Sequence, residues 1–125
     1  MSENYQCHII INNRTSSHLK FDKSELPWGK FKQDPVADIP PKSEAKAFVA
    51  TGAAGTPTGC EGTVLYRFQD DANIAVTIYY DVPYRPGSNN TIRVSTNNTD
   101  VAATLDGFNG GGSTESCTVK VVDGR

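Results

Sequence analysis

The chain has 125 residues, 37% of them hydrophobic, and a formal net charge of −2 at pH 7. This length suits one domain, residues 1–125, whose hydrophobic core needs neither a metal nor disulfides for stability. A charge balance this close to neutral provides no general attraction for polyanions, so we expect no nucleic-acid partner.

Apolar and polar residues alternate along much of the chain, and many of the apolar ones are β-branched, which predicts strands rather than helices. In chain order the predicted strands are residues 6–12, 18–23, 45–50, 63–68, 74–80, 91–96, 101–106 and 118–122. Gly, Pro, Asn and Asp separate these segments as turn formers. About eight or more short strands without helical crossovers predict an all-β fold, a single-domain antiparallel β-sandwich.

The strand at 74–80 assigns its tyrosines to different environments. Tyr80 continues the apolar face set by Ile74, Val76 and Ile78, so we expect it in the core, while Tyr79 lies on the opposite face. Tyr84 follows in a loop between Pro83 and Pro86, whose rings restrict the backbone and lower the entropy cost of presenting an aromatic contact. We expect the next strand to begin at Asn89 and Asn90.

Residues able to support catalysis are scarce. The two histidines form no H-x-H or H-E-x-x-H pattern: His8 lies in a strand beside three isoleucines, and His18 follows a Ser-Ser turn. We therefore expect neither an enzyme nor a bound metal or other cofactor. Cys7 and Cys117 lie in strands near opposite ends of the chain and would be neighbours if those strands paired; buried reduced thiols are the favoured interpretation.

Glu61 stands between Gly59 and Gly62 at the entry to a strand. A carboxylate in such a glycine-rich segment has two interpretations: it contacts a ligand, or it accepts hydrogen bonds from backbone N–H groups. Both remain open, with the structural role favoured.

The most informative residues are aromatic. Trp28, the one tryptophan, lies between the turn formers Pro27 and Gly29, and Phe108 is flanked by glycines. Together with Tyr79 and Tyr84 they lie in predicted loops or on strand faces, where amphipathic rings suit membrane interfaces or sugar stacking. For Trp28, exposure at a binding surface and closure of the sandwich end are equal alternatives; for Phe108 we expect exposure.

Several motifs occur in an order that resembles the aegerolysin family. They are H-I-I-I-N-N near the N-terminus, W-G-K at 28–30, A-F-V-A-T-G at 47–52, T-G-C-E-G-T-V-L-Y at 58–66, and Y-D-V-P-Y followed by G-S-N at 80–89. The resemblance covers roughly residues 6–122. The central motifs are most like the small aegerolysin-type crystal proteins of insecticidal bacilli, and the W-G-K turn is most like the fungal members.

This resemblance implies a β-sandwich that recognises membrane lipids of the sphingolipid or sterol type. It also implies a larger protein partner, perforin-like or a second crystal toxin, with which the chain would form a two-component pore-forming cytolysin or insecticidal toxin. Trp28 and Lys30 match the W-G-K turn, and Asp81, Pro83 and Tyr84 match the D-x-P-aromatic motif, so the resemblance places lipid contacts there.

Loop aromatics without an amphipathic helix predict docking at the headgroup level and not membrane spanning by this chain alone. The N-terminus carries no secretory signal pattern, so we expect synthesis in the cytoplasm and action at target membranes. Two alternatives are a lectin-like module, in which the aromatics with Asp81, Asn89 and Asn90 bind a sugar, and a structural or storage protein. The candidate lipid- or glycan-binding residues are therefore Trp28, Lys30, Tyr79, Asp81, Tyr84 and Phe108, and Glu61 is a candidate ligand contact.

Overall fold

The computed structural model describes residues 4–85 and 87–125, which form two β-sheets packed around one hydrophobic core. The ten strands of the described residues are β1 (Gln6–Asn13), β2 (Leu19–Trp28), β3 (Lys30–Gln33), β4 (Asp38–Ile39), β5 (Ser43–Thr51), β6 (Cys60–Phe68), β7 (Ala75–Val82), β8 (Thr91–Thr96), β9 (Val101–Asp106) and β10 (Thr114–Asp123). Within these ranges no helix has both the length and the apolar character needed to cross a bilayer.

Each sheet contains five strands. The first sheet has the order β3-β5-β1-β10-β9 and the second has the order β4-β2-β6-β7-β8. The predicted all-β sandwich is therefore confirmed, and its pairing is antiparallel except between β1 and β10, which run parallel. That exception has a topological reason, because β1 and β10 come from opposite ends of the chain and no tight hairpin joins them.

The core is built by the inward-facing residues of both sheets. Val76, Ile78 and Tyr80 on β7 are completely buried, which confirms the predicted inner face of that strand. Phe48 on β5 contacts the Tyr80 ring at a centroid distance of 5.5 Å and the Phe31 ring at 5.6 Å. These contacts join the two sheets, because Phe48 belongs to the first and Tyr80 to the second.

The strand boundaries differ from the prediction in β2, which continues to Trp28 rather than ending at residue 23. Pairing of β2 with β6 shifts between Phe21 and Lys23 and again between Glu25 and Trp28. Each β-bulge adds a residue and breaks the period-2 alternation from which strands are recognised. Pro27 is tolerated in the second bulge because no regular ladder hydrogen bond is required of it there.

Two further differences concern short or displaced elements. β3 and β4 were not predicted, since four and two residues are too few for a recognisable alternation. β8 begins at Thr91, so the expectation of a strand start at Asn89 and Asn90 is wrong. The Asn90 side chain instead donates hydrogen bonds to the Gly112 carbonyl and the Glu115 carboxylate, which holds Asn90 in a loop.

The cysteines are buried free thiols, as the sequence favoured. Cys7 on β1 lies opposite Glu115, and Cys117 on β10 lies opposite Ile9, so their strands do pair. Burial raises the pKa of both Cys60 and Cys117 to about 12. Because the thiolate is the reactive species, we expect these groups to be inert at neutral pH.

The hydroxyl group of Tyr80 is a polar group inside the hydrophobic core. It is buried and has no hydrogen-bond partner among the described residues, whereas the Tyr66 hydroxyl donates to the Val36 carbonyl at 2.8 Å. We expect Tyr80→Phe to leave the free energy of unfolding unchanged or raise it by about 1 kcal/mol, because an unpaired buried hydroxyl is removed. Urea denaturation measures the change.

Tyr66→Phe is the matched control for Tyr80→Phe and should lower the free energy of unfolding by about 1 kcal/mol, since a made hydrogen bond is lost. Equal losses in the two variants would show that the Tyr80 hydroxyl is paired.

Candidate functional site

Most of the predicted site residues lie at one end of the sandwich. Strands β2, β5, β7 and β9 end there, and β1, β3, β6, β8 and β10 begin there, as the registers pairing Gln6 with Thr114 and Cys60 with Val82 require. Three segments therefore meet at the same place: the end of β2 with Trp28, the start of β6 with Glu61, and the end of β7 with Asp81, followed by Tyr84. We call this end, together with its connecting loops, the aromatic end.

A groove of about 440 Å³ opens at the aromatic end. Two large rings lie on its rim: Trp28 is 57% exposed and Tyr84 is 40% exposed. The exposure of Trp28 selects one of the two interpretations left open for it, because a residue closing the core would be covered. The groove is lined by Trp28, Pro57, Thr58, Gly59, Cys60, Glu61, Asp81, Pro83, Tyr84 and Arg85.

Trp28 is held at the rim by the tight turn that follows it. Gly29 has a φ of +86°, a left-handed conformation that residues with a Cβ adopt at a steric cost. A Cβ at Gly29 would also overlap the carbonyl oxygen of Thr51. The glycine of W-G-K thus lets the chain pass from β2 in the second sheet to β3 in the first, with Trp28 left projecting.

Tyr84 is positioned by contacts of its backbone and its ring. The backbone at 82–84 packs directly on Gly59, where an added Cβ would come within 2.7 Å of the Tyr84 nitrogen and 2.9 Å of the Pro83 carbonyl carbon. The Tyr84 ring contacts the Tyr5 ring at a centroid distance of 4.7 Å. Pro83 directly follows β7, while the predicted stiffening by Pro86 lies outside the described residues.

The groove is lined by two carboxylates, Glu61 and Asp81, and one cation, Arg85, so its formal charge is negative. Strand register places Glu61 on β6 directly opposite Asp81 on β7. The Tyr79 hydroxyl donates a hydrogen bond to Glu61 Oε2 at 2.5 Å, and the Arg93 guanidinium lies over the Tyr79 ring, 4.7 Å from its centroid. Glu61 thus accepts a hydrogen bond from a side-chain hydroxyl rather than from the expected backbone N–H groups, and it also lines the groove.

The pKa values of two groups reflect this environment. Burial, and then the neighbouring charge of Glu61, raise the pKa of Asp81 above its ordinary value. Burial and the hydrogen bond to Glu61 raise the pKa of Tyr79 to about 12, so its hydroxyl stays a donor at neutral pH. The two carboxylates therefore repel each other across the strands, a repulsion that a bound cation would relieve.

Asp81→Asn tests this repulsion. A folded-state pKa raised above the unfolded value means that stability falls as the pH rises through that interval, so ionised Asp81 weakens the fold at pH 7. We expect Asp81→Asn to raise the free energy of unfolding at pH 7 by about 0.5 kcal/mol. The gain should vanish below about pH 3, where the carboxyl is protonated in both states. Thermal denaturation across this pH range measures the difference.

Asp106→Asn is the control for Asp81→Asn, because the cross-strand neighbour of Asp106 is Thr118 and not a carboxylate. A stabilisation by Asp106→Asn equal to that of Asp81→Asn would argue against repulsion as the cause.

Three predicted site residues lie near the groove without lining it, as far as the described residues define its walls. Phe108 is 39% exposed in the connection between β9 and β10, at the same end of the sandwich. Lys30 lies beyond the Gly29 turn, where it lines a separate depression with Gln6, Phe31, Lys32 and Thr51. Tyr79 contributes from below, through its hydrogen bond to Glu61.

Sequence reasoning missed a buried carboxylate that organises the aromatic end. Glu115 is completely buried and accepts hydrogen bonds from the Asn109 nitrogen at 2.9 Å, the Gly110 nitrogen at 3.0 Å and Asn90 Nδ2 at 3.1 Å. These bonds join the loop that carries Phe108 to the segment before β8. The alternation of side chains along β10 could have predicted the burial of Glu115. This residue lies on the same strand face as Cys117, Val119 and Val121, which point into the core.

Comparison with known proteins finds one matching family and several solved structures with a similar fold. The family model described as Aegerolysin matches residues 4–124. Similar solved structures are IP-1A from Alcaligenes faecalis (TM-score 0.77, 16% identity, covering 99% of this chain and 94% of that one) and the RahU protein in complex with a TRIS molecule (0.72, 17%, 98% and 96%). The lipid binding protein Nakanori is also similar (0.69, 15%, 96% and 71%).

Comparison with curated protein sequences gives no match. At these identities the structural similarities show the common fold, while the family match extends over nearly the whole length. The chain belongs to the aegerolysin family.

Proposed function

We propose that this protein recognises membrane lipids of the sphingolipid or sterol type and acts as the lipid-recognising component of a two-component pore-forming cytolysin or insecticidal toxin. The observation that carries the proposal is the pair of exposed rings, Trp28 and Tyr84, on the rim of one acidic groove. Membership in the aegerolysin family and the similarity to Nakanori, described as a lipid binding protein, support the choice of ligand class.

The two rings suit the interfacial region of a bilayer. Tryptophan and tyrosine have an apolar ring and a polar tip, and they partition to the headgroup level. Both are exposed in the free protein, so contact with a membrane would remove apolar surface from water. Because Gly29 and the packing on Gly59 fix the backbone at both positions, little conformational entropy is lost on docking.

The groove between the rings suits the cationic part of a zwitterionic headgroup. Glu61 and Asp81 provide negative charge, and Trp28 and Tyr84 provide aromatic faces that attract an ammonium group. A choline or ethanolamine group would relieve the repulsion between Glu61 and Asp81, which adds to burial in raising the pKa of Asp81. The groove thus suits a zwitterionic headgroup. Sphingomyelin and phosphatidylcholine share the choline group, so the preference for sphingolipid that we expect comes from contacts outside the groove.

The same surface favours docking over perforation. Two loop rings bury less apolar area than stable anchoring requires, and covalent lipids or an amphipathic helix usually supply the remainder. We propose that a larger protein partner, perforin-like or a second crystal toxin, supplies the membrane-inserting part at the target-cell membrane. Our protein would then determine where that partner assembles.

Sedimentation with vesicles tests the proposal. The protein is mixed with phosphatidylcholine vesicles that contain increasing amounts of sphingomyelin or ceramide phosphoethanolamine, with and without cholesterol. We expect co-sedimentation that rises with sphingolipid content and does not occur with phosphatidylcholine alone. Failure to bind any sphingolipid- or sterol-containing vesicle would contradict the proposed function.

A glycan array separates lipid recognition from the lectin-like alternative. The rings and Asp81 suit a sugar as well, but the Asn90 amide is already hydrogen bonded to Gly112 and Glu115. Binding to free glycans in the absence of lipid would favour the lectin-like alternative.

A further inference from the structure

We propose that a basic surface beside the aromatic end binds the phosphate groups of anionic membrane lipids. We define this basic surface as Lys30, Lys32 and Lys46, with the ring of His8 among them, all on the outer face of the first sheet. The inference rests on the proposed function, because it needs the protein to lie against a membrane. The basic surface would make a second contact with the membrane, and its positive charge is opposite in sign to that of the groove.

Strand register brings the basic residues together. Lys30 on β3 lies opposite Thr51 on β5, which in turn lies opposite Gln6 on β1. Lys32 occupies the β-bulge that follows in β3, and Lys46 lies opposite Ile10 further along β5. A shallow depression of about 350 Å³ lies among Gln6, Lys30, Phe31, Lys32 and Thr51.

His8 shows that this face is electropositive. Its Nε2 lies 2.9 Å from Gln6 Oε1, which places the ring beside the depression. Partial burial, and then the charges of Lys46 and Lys32, lower the pKa of His8 below its ordinary value. The nearest carboxylate along β5 on this face is Glu44, which lies opposite Asn12 and therefore further from the aromatic end.

The two surfaces are joined by the W-G-K turn. Trp28 lines the acidic groove, and Lys30, two residues later, lines the depression. A protein docked through Trp28 would hold its basic surface close to the headgroups. In the groove, Glu61 and Asp81 repel a lipid phosphate and only Arg85 attracts it. On the basic surface, Lys32 and Lys46 each contribute about a fivefold gain in affinity for an anionic surface at low salt.

Vesicle binding by a charge-neutralised variant tests the inference. Lys32→Gln with Lys46→Gln removes two positive charges from the basic surface. The control, Lys20→Gln with Lys23→Gln, removes the same net charge from exposed positions on β2, in the second sheet. Each protein is titrated, at low and at moderate salt, with sphingomyelin–cholesterol vesicles that contain or lack phosphatidylserine.

We expect phosphatidylserine to increase the affinity of the wild type and of the control, and this increase to fall roughly 25-fold in the Lys32→Gln, Lys46→Gln variant at low salt. Equal gains in the two double variants, or no gain in the wild type, would overturn the inference. Release of the protein by inorganic phosphate, but not by chloride at the same ionic strength, would overturn the assignment to a lipid surface. Binding to the vesicles that lack phosphatidylserine tests the proposed function separately, because that binding depends on the groove and not on the basic surface.

Discussion

Replacing Trp28 and Tyr84 together by alanine should reduce the affinity for sphingolipid-containing vesicles by more than about a hundredfold. Each exposed ring transfers apolar surface from water to the interface, which contributes about 2 kcal/mol, and two such contributions correspond to roughly a thousandfold in affinity. Partial compensation by neighbouring contacts reduces that figure. Vesicle co-sedimentation of wild type and variant measures the loss.

The same substitutions should change folding much less than binding. Trp28 is 57% exposed, and Tyr84 makes its main ring contact with Tyr5 at the surface. Losing that contact costs about 1 kcal/mol, which lowers the melting temperature of a domain this size by only a few degrees. A sharp fall in melting temperature with Tyr84→Ala would mean that the ring supports the core, and a loss of binding would then have another explanation.

Three further variants identify what the rings contribute. Val122→Ala removes an equally exposed apolar side chain at the far end of β10 and should leave binding unchanged. Tyr84→Phe keeps the ring and should retain most of the affinity. Phe108→Ala tests whether the β9–β10 loop reaches the same membrane, and we expect a loss smaller than that of Trp28→Ala because Phe108 stands outside the groove lining that the described residues form. Wild-type binding by the Trp28, Tyr84 double variant would instead support a structural or storage role.

Much of the fold follows from residue alternation. Tyr80 in the core and Tyr79 on the opposite face are both predicted by period-2 alternation along β7, and the structure shows Tyr80 fully buried and Tyr79 partly exposed. Period-2 alternation alone predicts which residues are buried where a strand is regular, with one face toward the core and the other toward solvent. Trp28 shows where it fails, because a bulge in β2 changes the phase two residues before the tryptophan.

The candidate site was predictable as a set of residues but not as an arrangement. Loop aromatics and a carboxylate between glycines identify Trp28, Tyr84 and Glu61 individually. The opposition of Glu61 to Asp81 depends on the register of β6 with β7, and register is set by long-range pairing that a single sequence does not contain. Lys30 shows that closeness in sequence does not predict a shared site. It follows Trp28 by two residues, yet it lines a different depression.

Removing the buried carboxylate of Glu115 should have the largest effect on stability. Glu115→Ala leaves the amides of Asn109 and Gly110 and the side chain of Asn90 without their acceptor. Hydrogen bonds to a charged group contribute about 1.5–3 kcal/mol, and unsatisfied buried donors add to the loss. We expect the free energy of unfolding to fall by about 3–5 kcal/mol, measured by urea denaturation.

Glu115→Gln should lose somewhat less, about 2–3 kcal/mol, since an amide keeps one acceptor oxygen but turns an N–H₂ group toward backbone donors. Hydrogen exchange locates the effect: the amides of Asn109 and Gly110 should lose protection first, because their loop then opens without global unfolding. Glu44→Ala, an exposed glutamate on β5, is the control and should change stability by no more than about 0.5 kcal/mol. If Glu115→Gln proved as stable as the wild type, the carboxylate would not be what fixes the loop of Phe108 to Asn90.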